Sequence, residues 1–177
     1  MVVSPVMKSF LETQEAEAMA LAARSDLIEV APLGEKPYQK FLVRFFCKTL
    51  LKTREGICEY DRVDVGIHFP SDYWQRAEPP EVVTLFGPAN VFHPNVKFPF
   101  ICPGDLTTGT PLADLIYQIY EILTFQKVTM REDDALNKDA CVWARKNTER
   151  FPVDTRPLVR RNDSYKVKTP RAPEENR

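Results

Sequence analysis

The apolar residues of the N-terminal segment recur at the spacing of an amphipathic helix. Ser4 and Pro5 mark its start, because serine caps helix N-termini and proline suits the first helical position. The apolar positions that follow on one face are Met7, Phe10, Leu11, Ala18, Leu21 and Ala22. This pattern predicts a helix over residues 5–24.

Residues 27–86 carry the shorter apolar runs that are typical of strands. A brief apolar run begins at Leu27, and residues 41–47 are dense in strand-forming side chains. Residues 63–69 alternate apolar and polar positions, and a further apolar run covers residues 82–86. With turn residues between consecutive runs, the economical arrangement is a four-stranded antiparallel meander.

The regular pattern stops after Phe86 for about two dozen residues, in which prolines and glycines are frequent. Apolar side chains are scattered through this stretch, which argues against disorder. A long structureless segment inside a compact domain is usually functional. We therefore expect an irregular loop that carries part of a functional site.

Helical spacing returns after this loop. Pro111 precedes an apolar stripe made of Leu112, Leu115, Ile116, Ile119, Tyr120 and Leu123. A second helix is predicted to begin near Asp133 and Asp134, which can cap it, and to bury Leu136 and Trp143. Strands that run together, with helices before and after them, indicate an α+β fold whose helices pack on one antiparallel sheet.

The predicted domain covers residues 1–150. Apolar periodicity ends at Phe151, and prolines and basic residues dominate the remainder. Residues 151–177 are therefore predicted to form a basic tail that is extended or partly disordered.

Composition and charge exclude several classes of function. The 177 residues include 24 basic and 25 acidic side chains, so the net charge of -1 offers no general attraction to nucleic acid or to an anionic membrane. Prolines outnumber glycines 15 to 6, and no glycine-rich phosphate-binding motif occurs. We predict no cofactor, no nucleic-acid partner and no membrane partner. The N-terminus lacks a signal-peptide pattern, which favours a cytoplasmic protein with reduced thiols.

The cysteines are the remaining candidates for chemistry. The 4 cysteines are too far apart for paired metal-binding motifs and only 2 histidines are present, so we predict no metal site. Cys47 and Cys141 lie in strand and helix patterns typical of buried thiols, and Cys58 lies in a predicted hairpin. Cys102 differs, because the turn sequence that begins at Pro103 favours a thiol held near the surface.

The irregular loop places His93, Asn95 and Cys102 close together in the sequence. A thiol, an imidazole and an amide are the components of cysteine acyl-transfer chemistry. The residues alone leave two alternatives: Cys102 as a buried hydrophobe beside a hydrogen-bonded turn, and a cysteine hydrolase with His93 as the base. The proline directly after His93 favours a rigid turn over a base.

Six short motifs resemble the ubiquitin-conjugating enzyme family, in the family's order and near its spacing, over residues 5–147. They are HFPSDYW at 68–74, AEPPEVV at 77–83, FHPNV at 92–96, IC at 101–102, TP at 110–111 and EDDALN at 132–137. There are departures: Pro103 and Gly104 stand where the family usually has leucine and aspartate, and Ala135 stands where proline is usual. They indicate a divergent member, and a prokaryotic one is among the alternatives.

The resemblance implies a role for each site residue. Cys102 would accept a ubiquitin-like modifier protein from an activating enzyme as a thioester and pass it to a lysine of a target protein, with a ligase as an optional partner. Asn95 would stabilise the oxyanion or order its loop, and His93 would brace the turn. Asp134, or alternatively Asp133, would orient or deprotonate the lysine, whereas the residues alone also allow both to cap the following helix. A catalytically inactive module that only binds a ubiquitin-like protein is a further alternative.

Overall fold

The computed structural model describes residues 4–104 and 106–160. In chain order its elements are α1 (Pro5–Ala23), β1 (Ile28–Leu33), β2 (Lys40–Phe45), β3 (Thr49–Lys52), β4 (Ile57–Tyr60), β5 (Val63–His68), α2 (Pro79–Val82), β6 (Val83–Gly87), β7 (Val96–Lys97), β8 (Phe100–Ile101), α3 (Leu112–Leu123) and α4 (Lys138–Arg145). A short 3-10 turn follows at Thr148–Arg150. None of the helices in the described ranges is both long enough and apolar enough to cross a membrane.

Helix α1 begins where its capping residues predict. The Ser4 hydroxyl accepts a hydrogen bond from the Met7 backbone N–H at 3.2 Å, which satisfies one of the free donors of the first turn. On the buried face of α1, the Gln14 side chain accepts a hydrogen bond from the Leu112 N–H at 2.7 Å. This contact caps α3, because Pro111 at its start provides no side-chain acceptor.

The main sheet has six strands in the order β1-β2-β5-β6-β8-β7, all antiparallel. The four predicted strands correspond to β1, β2, β5 and β6, which are the first four in this order. In the β2–β5 pair, Val43 lies opposite Val65. The predicted four-stranded sheet is nevertheless wrong, because β7 and β8 extend it from within the segment predicted to be an irregular loop. Each of these strands has only 2 residues, which is too short for any periodicity to show.

Strands β3 and β4 form a separate hairpin that supports the segment leading to His93. The Leu50 carbonyl accepts a hydrogen bond from the Phe92 N–H at 2.7 Å, and the Lys52 N–H donates to the Asn90 carbonyl at 3.0 Å. The hairpin therefore fixes the path of the chain immediately before the predicted site.

The hydrophobic core lies between the main sheet and helices α1 and α3. Its largest fully buried side chains include Phe41, Phe45, Phe69 and Tyr73. All the residues of the predicted α3 stripe are buried in it. Val96 and Ile101 also belong to this core, so it anchors the segment that carries Asn95 and Cys102.

Helix α4 begins later than predicted. It starts at Lys138, and the Asn137 side chain caps it by accepting a hydrogen bond from the Ala140 N–H at 3.1 Å. The prediction that Asp133 and Asp134 cap this helix is therefore wrong. Leu136 was expected to be buried but is exposed, because it precedes the helix and does not lie on its inner face.

Residues 151–160 of the predicted tail pack against the domain. The Val153 N–H donates to the Thr124 carbonyl at 2.9 Å, and Leu158 is buried in the core. Asp154 is also buried, where it accepts a hydrogen bond from the Lys48 N–H at 2.8 Å and pairs with Arg156. The rest of the predicted tail, residues 161–177, lies outside the described residues.

Candidate active site

Asn95 and Cys102 lie side by side at the open end of the β7–β8 hairpin. Val96 pairs with Ile101, so the residues just outside that pair are brought opposite each other. The Cys102 N–H donates to the Asn95 carbonyl at 2.8 Å, and the Asn95 side-chain amide donates to the Cys102 carbonyl at 3.3 Å. Asn95 therefore holds both polar backbone groups of Cys102.

The Asn95 side chain also binds the loop between α3 and α4. Its Oδ1 accepts a hydrogen bond from the Thr129 N–H at 3.0 Å, and only 5% of the residue is exposed. Nearby, the Pro94 carbonyl accepts a hydrogen bond from the Asn137 N–H at 3.1 Å. These contacts attach the α3–α4 loop to the segment that carries Cys102.

His93 is completely buried and contacts the turn that follows it. Its Nδ1 accepts a hydrogen bond from the Asn95 N–H at 3.0 Å, and its ring packs edge-on against Phe125 with centroids 4.3 Å apart. Burial lowers the pKa of His93 to about 3, so the ring is neutral at physiological pH. Within the described residues no hydrogen bond joins His93 to Cys102, and such a weakly basic imidazole is a poor general base for a thiol.

Phe125 is a supporting residue that sequence reasoning missed. It follows the last turn of α3 with φ of 60°, a left-handed conformation that is unusual for a residue with a side chain. The Gln126 N–H closes the helix end on the Glu121 carbonyl at 2.8 Å. Glycine is the residue expected at such a position, so the local sequence gave no signal that a phenyl ring would end the helix against His93.

The 4 cysteines differ in accessibility. Cys47 and Cys141 are buried, and burial raises the pKa of the Cys47 thiol to about 12. Cys58 is exposed on β4, and Cys102 is half-buried. Exposure alone therefore does not single out Cys102, and its distinction is the hydrogen-bonded loop around it.

Asp133 and Asp134 are both exposed in the loop between α3 and α4. Asp134 forms an ion pair with Arg131 at 3.4 Å, and its N–H donates to the Arg131 carbonyl at 3.2 Å. The loop that carries them is attached to the Cys102 hairpin through Thr129 at one point and Asn137 at another. Both carboxylates are therefore free of the helix-capping role that the residues alone allowed.

Lys127 also contacts the Cys102 segment, and sequence reasoning missed it. Its ammonium group donates to the Pro103 carbonyl at 2.5 Å. Lysines on a loop between helices are ordinary surface residues, so no local signal distinguished this one.

Across residues 4–104 and 106–160, no group of histidine, cysteine and acidic side chains is arranged to hold a metal ion.

Comparison with solved structures identifies the architecture. One similar structure is described as a Novel Ubiquitin-Conjugating Enzyme; it matches with a TM-score of 0.53 and 16% sequence identity, over 81% of this chain and 88% of that chain. The chain has a ubiquitin-conjugating-like fold. No family model and no curated protein sequence matches it. At this low identity the ubiquitin-conjugating-like fold is established by shape, and the chemistry has to be argued from the site residues.

Proposed function

We propose that this ubiquitin-conjugating-like protein accepts a ubiquitin-like modifier from an activating enzyme as a thioester on Cys102. It then transfers the modifier to a lysine amine of a target protein, with a ligase as an optional further partner. The observation that carries the proposal is the arrangement of Cys102 and Asn95, in which a half-buried thiol has both backbone polar groups held by one asparagine.

Loading of Cys102 requires little chemical assistance. Its thiolate attacks the carbonyl carbon of the incoming thioester, a new C–S bond forms, and the sulfur of the activating enzyme leaves as thiolate. Transfer of an acyl group from one cysteine sulfur to another breaks one thioester and forms another, so it is nearly isoenergetic, and positioning of the nucleophile is the main requirement. The loop contacts made by Asn95 supply that positioning.

In the transfer step the lysine nitrogen attacks the thioester carbonyl carbon, a C–N bond forms, the C–S bond breaks and the Cys102 sulfur leaves as thiolate. This step is more demanding than loading, because the amine has to lose a proton and an oxyanion develops on the thioester carbonyl. Asp134 is our candidate to orient or deprotonate the amine, with Asp133 as the alternative. Both are exposed carboxylates on the loop that Asn95 binds through Thr129, which supports this assignment. One Asn95 amide hydrogen is donated to the Cys102 carbonyl, and we assign the second to the oxyanion.

Two alternative functions have less support. A cysteine hydrolase needs a base close to the thiol, whereas the His93 ring is buried, weakly basic and engaged with the Asn95 N–H. An inactive module that only binds a ubiquitin-like protein has no use for a thiol, and it gives no reason for the contacts around Cys102.

The proposal is tested by mixing the chain with ATP, an activating enzyme and a ubiquitin-like protein from its own pathway. We expect an adduct that thiol reductants release. Cys102→Ser should replace it with a reductant-resistant oxyester or abolish it. Cys58→Ser is the matched control, because Cys58 is an exposed thiol outside the site, and this variant should load normally. If the activating enzyme is charged but intact Cys102 forms no adduct, the proposal fails.

A further inference from the structure

Lys127 reaches across from the loop after α3 to the backbone that follows the nucleophile. Its Nζ donates to the carbonyl of Pro103, the residue directly after Cys102, at 2.5 Å. Asn95 bonds the N–H and the carbonyl of Cys102, and its side-chain oxygen accepts a hydrogen bond from the Thr129 N–H of the same loop. The Cys102 segment is thus anchored to the α3–α4 loop at Cys102, through Asn95, and at Pro103, through Lys127.

The chain after Cys102 is shaped to receive this ammonium group. Gly104 has φ of 101°, a conformation that favours glycine, and a Cβ atom there would lie 2.9 Å from the Lys127 Nζ. The ammonium group therefore occupies the space that a side chain would need. Pro103 has no N–H to donate, which leaves its carbonyl as the backbone group available for anchoring.

We propose that Lys127 is a positioning residue for Cys102. Its ammonium group fixes the Pro103 carbonyl, and this fixes the direction in which the thiol is presented. Hydrogen bonds from charged donors contribute more than neutral ones, and although Lys127 is an exposed residue, the carbonyl that it binds belongs to the buried Pro103. The kinetic consequence rests on the proposed function, whereas the structural consequence does not.

The structural consequence is tested by amide hydrogen exchange on the full chain, measured by NMR. Lys127→Met removes the donor but keeps the length of the stem. The Cys102 N–H, bonded to the Asn95 carbonyl, should then exchange about tenfold faster. Lys138→Met is the matched control, because Lys138 is an exposed lysine at the start of α4, and this variant should leave the exchange rate of the Cys102 N–H unchanged. Equal protection in wild type and Lys127→Met would overturn the proposal.

The kinetic consequence is tested by loading from a charged activating enzyme. Lys127→Met should lower kcat about tenfold while KM stays unchanged, because the thiol is misplaced but binding of the charged activating enzyme is unaffected. Lys127→Arg should recover most of the rate, since a guanidinium also donates. A loss that Lys127→Arg does not recover, or a rise in KM alone, would overturn the positioning role. If even wild type fails to load, the proposed function falls, and the exchange experiment alone decides on Lys127.

Discussion

Acidification should destabilise the protein through His93. The ring is fully buried, and its folded-state pKa is about 3 against an ordinary value of 6.5. Between these values the unfolded chain binds a proton that the folded chain excludes. The contribution of His93 is therefore complete above about pH 6.5 and is lost progressively as the pH falls towards 3.

The size of this effect follows from the difference between the two pKa values. Each pKa unit corresponds to about 1.4 kcal/mol, so His93 alone should lower the free energy of unfolding by about 2 kcal/mol between pH 7.5 and pH 5. Asp154, the buried carboxylate with a perturbed pKa, does not interfere at these pH values: burial raises its pKa, but Arg156 and backbone donors lower it overall. His68, the other histidine, is half-buried, and burial lowers its pKa as well.

Urea unfolding followed by tryptophan fluorescence at pH 7.5 and pH 5 measures the effect. His93→Gln retains an acceptor for the Asn95 N–H but cannot titrate, so its stability should fall by about 2 kcal/mol less than that of wild type. His68→Gln is the control and should retain most of the pH dependence. Equal losses in wild type and His93→Gln would refute the argument. So would an NMR titration of folded wild type in which the His93 ring protonates near pH 6.5.

Three further changes give distinct results. In single-turnover assays, Asn95→Ala should slow discharge to free lysine more than loading. The variant loses the amide proposed to bind the oxyanion, in addition to the loop contact with the Thr129 N–H. Equal slowing of loading and discharge would argue against an oxyanion role. Asp154→Asn should lower the free energy of unfolding at pH 7 by about 2 kcal/mol in urea titrations, because the buried carboxylate binds the Lys48 N–H and Arg156; unchanged stability would contradict this. Gly109→Ala should displace Trp74, because the new Cβ would lie 2.6 Å from the Trp74 ring, and Gly109 has φ of 81°, which disfavours alanine. Tryptophan emission should change, and the free energy of unfolding should fall by about 1 kcal/mol.

The parts of the fold predicted from sequence are those with enough residues to show a period. Helix α1 and the first four strands of the main sheet each present a repeated apolar face, and burial of that face dominates their placement. Strands β7 and β8 have 2 residues each, so pairing alone defines them. The start of α4 was misplaced because Asp133 and Asn137 are equally good caps, and only the packed structure decides between them.

The candidate site was predictable only where its residues are close in sequence. His93, Asn95 and Cys102 lie on one segment, and their chemistry is visible there. Phe125 and Lys127 follow the end of α3, and they meet that segment only because the sheet and α3 share one core. No local pattern in the sequence encodes such a contact.

The shortness of β7 and β8 determines how the variants should be interpreted. Strand β8 pairs with β6 at a single position, so the backbone ladder gives Cys102 little support. Its anchoring to the α3–α4 loop depends on the Asn95 side chain, which binds the Thr129 N–H, and on the Lys127 side chain. Asn95→Ala therefore disturbs both the anchoring and any oxyanion contact. Lys127→Met disturbs the anchoring alone. If each variant slows loading and lysine transfer by the same factor, Asn95 acts by ordering the loop. A transfer defect that exceeds the loading defect in Asn95→Ala, but not in Lys127→Met, supports a direct contact with the oxyanion.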